Sequence, residues 1–204
     1  LAILAAENKP RQLSIACDLG FAVPDTLVTN DIRQARDFLS EGASIAKPLR
    51  EALLDEGEEE RVIFTNRLGE LVETDEERIA AAPVIFQREI QKLSDIRATV
   101  VGDVVYVAEI LSQGHEETKT DWRRGSRPDL PHRLHELPDD LQRKCVRLVQ
   151  MLGLRFGAID LILDRDGSYW FLEVNPNGQW AWIENRTGMP LTRAIVDELE
   201  KIAA

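Results

Sequence analysis

Cysteine is nearly absent from this 204-residue chain: two occur, Cys17 and Cys145, far apart and each in an apolar stretch of helical spacing. A pair so placed reads as buried thiols rather than as a disulfide framework or a reactive centre, and it suits a reducing, cytoplasmic setting. Long apolar runs are missing too. No stretch approaches the ~18 residues needed to cross a bilayer, and the N-terminus lacks a basic segment followed by an apolar run and a cleavage site, so membrane and secretory readings fall away. Positive charge is scarce: 25 Lys and Arg against 36 Asp and Glu leave a formal net charge of −11. Phosphate backbones are held by basic stripes, so nucleic acid is not expected as a partner. Internal repeats and low-complexity tracts are lacking as well.

What is present is a 44% hydrophobic chain, enough to bury a sizeable core in one domain or two tightly joined lobes. It opens without methionine on LAILAAENKPRQLSIACDLG, which reads as an element already in progress, so a preceding segment is expected. Leu13, Ala16 and Cys17 recur at helical spacing and Gly20 is placed to end that helix. VPDTLVTN is extended, Asn30 or Asp31 can cap a helix through Leu39, and SIAKPL reads as a buried strand with one lysine. The acidic run Asp55 to Glu60 reads as a solvated loop, followed by a strand at 62–66, a short helix from Asp75 to Ala81 and a strand at 84–90. ATVVGDVVYVAEI predicts a hairpin turning at Gly102-Asp103. Residues 113–137 look polar and irregular. Helices are predicted from Asp139 to Leu152 and after Pro190. The sum is an α+β chain rich in antiparallel hairpins.

The segment FGAIDLILDRDGSYWFLEVNPNG carries the most chemistry. Asp166-Gly167 is a strong two-residue hairpin signal. With that turn, Asp160 lies opposite Glu173, and Asn175 projects from the same face as Glu173 because side chains alternate. Two carboxylates facing each other with Cβ atoms ~5 Å apart repel unless a positive charge lies between them. Hard oxygen donors from Asp160, Glu173 and Asn175 suit magnesium, which completes its shell with water and phosphates; the alternatives are acids that only solubilise a solvent-facing hairpin, or an Asp paired with a nearby Arg.

IAKPL, IFQREI, SDIR, DWRR, FGAID and FLEVNPNGQWAWIE, in that order, resemble the ATP-grasp superfamily, and within it the microviridin-type (graspetide) peptide ligases. The resemblance runs from Asn8 to the C-terminus. It implies an α+β ATP-grasp fold whose two lobes, with mixed and antiparallel sheets, clamp ATP. The small lobe would span 1–90 and the lobe with the metal and phosphate site 91–204, and the N-terminal domain that usually precedes the core is absent from the sequence. By position, Lys47 resembles the lysine on the nucleotide phosphates and Lys9 a second one near them. Lys47, inside an otherwise apolar strand, also asks for a partner on physical grounds. Gln87, Arg88, Glu89 and Ile90 resemble the hinge, where backbone groups read the adenine edge and Glu89 takes the ribose hydroxyls. Asp95 and Arg97 of SDIR and Arg123 of DWRR resemble positions lining the phosphate and acyl-phosphate region, a task that suits the planar fork of arginine. Trp122, Trp180 and Trp182 read as packing, and His115, His132 and His135 as surface residues, with a base on the attacking group as the alternative for one of the three.

The activity implied is ATP-dependent ligation: a carboxylate attacks the γ-phosphoryl group to give an acyl phosphate, and a hydroxyl or amine then displaces phosphate. Such chemistry needs positioning and charge neutralisation rather than a protein nucleophile. The cofactors implied are ATP and Mg2+, with Arg97 and Arg123 at the reacting group. The partner implied is a ribosomal precursor peptide with a leader and an acidic, hydroxyl-rich core, and the sequence leaves open whether the protein is a homodimer. Two alternatives stand beside it: a glutamate-ligase-like enzyme adding a free amino acid, and a nucleotide-binding module without turnover.

Overall fold

The computed structural model of the chain describes residues 2–49, 53–55, 60–62, 66–69, 71–72, 75–122 and 130–203. The first helices, α1 (Ala2–Ala6) and α2 (Lys9–Asp18), meet at Asn8, whose side chain accepts the Arg11 N–H at 2.9 Å and caps α2, with Pro10 in the first turn. Gly20, at φ 75°, turns the chain away after α2. β1 (Thr26–Thr29) leads to α3 (Ile32–Ser40), capped by Asp31 through the Arg33 N–H. There follow β2 (Ser44–Pro48), β3 (Leu53–Asp55), β4 (Glu60–Val62), β5 (Asn66–Arg67), α4 (Glu76–Ala81) and β6 (Val84–Arg88). β3 and β4 pair on either side of the acidic run, of which residues 56–59 lie outside the described residues. β1, β6, β2 and β5 form a four-stranded antiparallel sheet in that order. Ile32, Ala35, Ile79 and Phe86 pack together to hold α3 and α4 on it.

The second sheet has five antiparallel strands in the order β11-β10-β7-β8-β9, made from β7 (Lys92–Val101), β8 (Val104–Ile110), β9 (His132–Leu134), β10 (Phe156–Asp164) and β11 (Tyr169–Asn175). β7 and β8 turn at Gly102-Asp103 as expected, with Gly102 at φ 59° in the first central position. One face of this sheet lays Ile96, Ala98, Val100, Ile159, Leu161, Phe171 and Val174 on α2 and on α5 (Asp139–Met151). On the other face, α6 (Ala181–Thr187) and α7 (Leu191–Ala203) pack Ile183, Met189 and Leu191 against Val101 and Ala108. That closes one end of the second face and leaves the rest facing the four-stranded sheet.

Two elements depart from the sequence reading. β9 lies within the segment expected to be irregular, where only three residues pair with β8 along the sheet edge. α6 is a two-turn helix ended by Gly188 at φ 73°, too short for a periodicity signal. Cys145 is buried, with its thiol pushed up to about 12 by that burial, whereas Cys17 is exposed on α2. Among the described residues no helix is long and apolar enough to cross a membrane.

Candidate active site

Asp160 and Glu173 are register partners on β10 and β11, as the sequence reading expected, but by a different route. Among the described residues none other than glycine has positive φ, which rules out the two-residue turn with both central residues left-handed. Instead Leu163 pairs with Tyr169 and Asp164 N–H reaches Ser168 C=O, so three residues form the loop, with Gly167 at φ 84°. The Asp164 carboxylate ties it by accepting from Asp166 N–H, Ser168 N–H and the Trp170 indole. The one-residue shift is then reversed by a bulge at Leu172, after which Asp160 faces Glu173.

β7 lies on the other side of β10 with Arg97 opposite Asp160, so Arg97, Asp160 and Glu173 form a row across three strands. Arg97 donates to Asp160 Oδ1 at 2.6 Å, and the Asn175 amide donates to Asp160 Oδ2 at 2.9 Å. Lys9 reaches Glu173 at 3.2 Å from the start of α2. Its position follows from Gln12, one turn on and fully buried, which donates to Val174 C=O and accepts Val174 N–H at 2.8 Å each, tying α2 to β11. Arg97 is itself pressed by the Asn175–Gly178 turn. A Cβ on Gly178 would lie 2.5 Å from Ala158 Cβ and 2.8 Å from Arg97 Nη2, so only glycine lets this turn approach the guanidinium. Arg97 Nε is buried without a hydrogen-bond partner among the described residues.

These residues line one wall of a cleft of about 960 Å³ between the two sheets. Lys92, which the sequence reading passed over, is buried in the same wall. Its ammonium donates to both oxygens of Asp95 at 2.9 and 2.8 Å, and Ser112 Oγ donates to the same carboxylate. Burial pushes the Asp95 carboxyl above the usual range, although Lys92 and Ser112 pull it back. On the opposite wall, Lys47 donates to Gln87 Oε1 at 2.9 Å, and Gln87 donates in turn to Thr26 Oγ. Arg88 N–H and Glu89 N–H are taken by the Asp25 and Ala43 carbonyls. The Arg88 guanidinium stacks on Phe38 and bonds Glu41 and Ser44, while Glu89 is gripped by Arg67 at 2.5–3.1 Å. Ile90 lines the cleft with the others.

A further corner of the cleft is aromatic. Trp122 and Trp182 lie 5.3 Å apart, and His132 meets the Trp182 ring edge-on at 5.2 Å. Arg186 of α6 stands beside both. Trp122, Trp182 and His132 therefore face the cleft, whereas His135 is held by Glu109 and Tyr169 on the helix-covered side of the sheet. Arg123, Arg124 and Arg127 lie outside the described residues.

The donor set can be tested against a magnesium ion. Arg97 and Lys9 already neutralise the facing carboxylates, so the repulsion argument has an answer within the chain. The chemistry of the donors still fits: two carboxylates and one amide oxygen, all hard, on neighbouring positions of one sheet face. No group of three His, Cys, Asp or Glu suited to a metal occurs among the described residues, and magnesium, which relies on water and phosphate for the rest of its shell, needs none.

Two antiparallel sheets closing on a cleft, one wall carrying paired carboxylates and cations, define a fold of the ATP-grasp class. A model of the RimK-like ATP-grasp domain matches residues 6–199, and the chain belongs to that family. Among solved structures, the RiPP-associated ATP-grasp ligase of Chryseobacterium gregarium, in complex with ADP and a leader and core peptide, is 32% identical. That match covers 100% of this chain and 62% of the ligase, with a TM-score of 0.89. The macrocyclase MdnC of Microcystis aeruginosa MRC, bound with precursor peptide MdnA, is 27% identical over 98% of this chain and 61% of its own, at TM-score 0.78. MdnB of the same organism is 33% identical over 96% and 60%, at TM-score 0.74. The chain thus spans about three fifths of the length of these relatives. A comparison with curated proteins gave no match.

Proposed function

We propose that this chain is the catalytic region of an ADP-forming ATP-grasp ligase that joins side chains within a ribosomally made precursor peptide, by ester or amide bonds. The observation that carries the reading is the row of Arg97, Asp160 and Glu173, flanked by Lys9 and Asn175, on the wall of a cleft large enough for a nucleotide and a peptide side chain. Likeness to a RiPP-associated ATP-grasp ligase and two macrocyclases across nearly the whole chain supports it.

In this reading Lys47 and Lys9 face the nucleotide phosphates from opposite walls, and the hinge from Gln87 to Ile90 holds the base. That hinge divides the sequence into a lobe at 1–90 and a lobe at 91–204, with α1 and α2 packing on the sheet of the second. Arg97, with a buried Nε that still requires an acceptor, donates to the phosphoryl group in transfer. Asp95 is kept in place by Lys92, and Arg123 adds a second guanidinium to the same group. Asp160, Glu173 and Asn175 would hold magnesium, which supplies charge neutralisation between phosphates and the attacking carboxylate. The substrate is a peptide with an acidic, hydroxyl-rich core, and the free cysteines suit a cytoplasmic enzyme.

The test is mass spectrometry of a candidate precursor peptide after incubation with the enzyme, ATP and magnesium. Loss of one water per new bond supports the reading. A mass gain equal to an added amino-acid residue would replace it with transfer of a free amino acid, and ATP-independent behaviour would remove both.

A further inference from the structure

We infer that His132 accepts the proton of the attacking hydroxyl or amine in the second half of this reaction, within an acceptor corner built from Trp122, Trp182 and Arg186. The inference rests on the ligase reading above and assigns its missing base. His132 opens β9 in register with Ile110, and Ile110 is in register with Asp95, so the imidazole shares the charge-bearing face of the sheet. Two strand spacings put it about 10 Å from the Asp95 position, across the width of the cleft it lines. That separation leaves the phosphoryl group at the Arg97 end and an incoming side chain at the other.

The ring is set up for this task. Its Nδ1 lies against Leu130 C=O, which fixes the tautomer with the proton on Nδ1 and the lone pair on Nε2. Arg186 Nη1 is 3.1 Å from Nδ1 and 3.4 Å from Nε2. An atom almost equally close to both nitrogens lies over the ring face, since in the ring plane it would collide with the carbon between them. The guanidinium is therefore not in line with the Nε2 lone pair. Trp182 fixes the ring from its edge. Burial lowers the His132 pKa below the ordinary histidine range, the Leu130 carbonyl opposing this and the Arg186 charge adding to it, which favours the neutral ring. No other charge reaches it from the neighbouring strand: Ile110 is apolar, and Glu109 pairs with Arg133 and His135 on the opposite face. His135, which bonds Tyr169 there, is in no position to serve the cleft.

In the step assigned, the acceptor oxygen or nitrogen forms its bond to the acyl carbon. The carbon–oxygen bond to the phosphoryl group breaks, and phosphate leaves with that electron pair. The acceptor's proton moves to His132 Nε2. The Arg186 charge disfavours the resulting imidazolium, which returns the proton to water.

The two half-reactions separate the possibilities. Hydroxylamine is uncharged at neutral pH and traps an acyl phosphate without help from a base. The wild-type enzyme with precursor peptide, ATP and magnesium should give hydroxamate. His132→Gln should still give it at a rate within about twofold, while crosslinking falls about 100-fold and the acidic limb of its pH profile disappears. Arg186→Gln should keep crosslinking at alkaline pH and move that limb to higher pH. Wild-type crosslinking with an unchanged profile in His132→Gln would overturn the inference, as would equal loss of hydroxamate and crosslink in that variant. Absence of both products from the wild type would instead overturn the ligase reading on which it stands.

Discussion

The two faces of the five-stranded sheet are both buried, yet they are made of opposite materials. Toward α2 and α5, Ile96, Ala98, Ile159, Leu161 and Phe171 pack with at most 1% exposure. Toward the cleft, the ionisable Asp95, Arg97, Asp160 and Glu173 are only 4–7% exposed. An apolar face gains from being removed from water. A charged face loses unless every charge is matched, and here Asp160 is matched by Arg97 and Glu173 by Lys9, each from another element, while Asp95 is matched by Lys92 of its own strand. The comparison teaches that one face holds the sheet together while the other is kept for chemistry.

The largest effect should come from the apolar face. Phe171→Ala is expected to cost about 3–5 kcal/mol in chemical denaturation, because the cavity lies between sheet and helix where neighbours cannot collapse into it. A loss below about 1 kcal/mol would show that this face is not the main source of cohesion.

Next is the charged face. Lys92→Met leaves Asp95 buried without its cation and should cost about 3 kcal/mol, part of which Lys92→Met with Asp95→Asn recovers. The deficit should depend on pH in a definite direction. Burial already holds the Asp95 carboxyl above its usual range, and removing Lys92 raises it further. An acid whose folded pKa exceeds its unfolded value contributes a penalty that is absent below the unfolded pKa and complete above the folded one. The variant should therefore fall further behind the wild type as pH rises from the wild-type Asp95 pKa, already above the usual carboxylate range, to the still higher one of the variant. A deficit that shrinks over that range would mean the pair is not held as described.

The smallest effect on stability should come from the turn that presses on Arg97. Gly178→Ala must displace either Ala158 or the guanidinium, at about 1–3 kcal/mol. Its turnover should fall by more than its stability suggests, read as kcat at a temperature where the variant is fully folded. Unchanged kcat would show that the placement of Arg97 does not depend on Gly178.

Much of the molecule follows from neighbours in sequence. Helix α2 and its Asn8 cap, α3 and its Asp31 cap, the Gly102-Asp103 hairpin and the pairing of Asp160 with Glu173 are all short-range matters. Even so, the last of these came out through two shifts that cancel, a three-residue loop and the Leu172 bulge. Local turn chemistry could not distinguish that path from a simple two-residue turn, because either one leaves the same residues facing. Lys92 was passed over because its charge reads as solvent-facing until Asp95 and Ser112 are seen beside it. Which of the three histidines faces the cleft is not legible in the sequence, because a three-residue edge strand leaves almost no periodic trace.

By itself the sequence determined which residues could do chemistry here and which local pairs they form, since caps, turns and strand alternation depend on a handful of adjacent dihedrals. Only the tertiary structure decided that Arg97 stands beside Asp160, that Lys9 is carried to Glu173 by the Gln12 tie, and that His132 faces the same cleft. These contacts join strands and helices far apart in the chain. Their geometry is set by the order in which strands assemble into a sheet, and no local pattern of residues encodes that order.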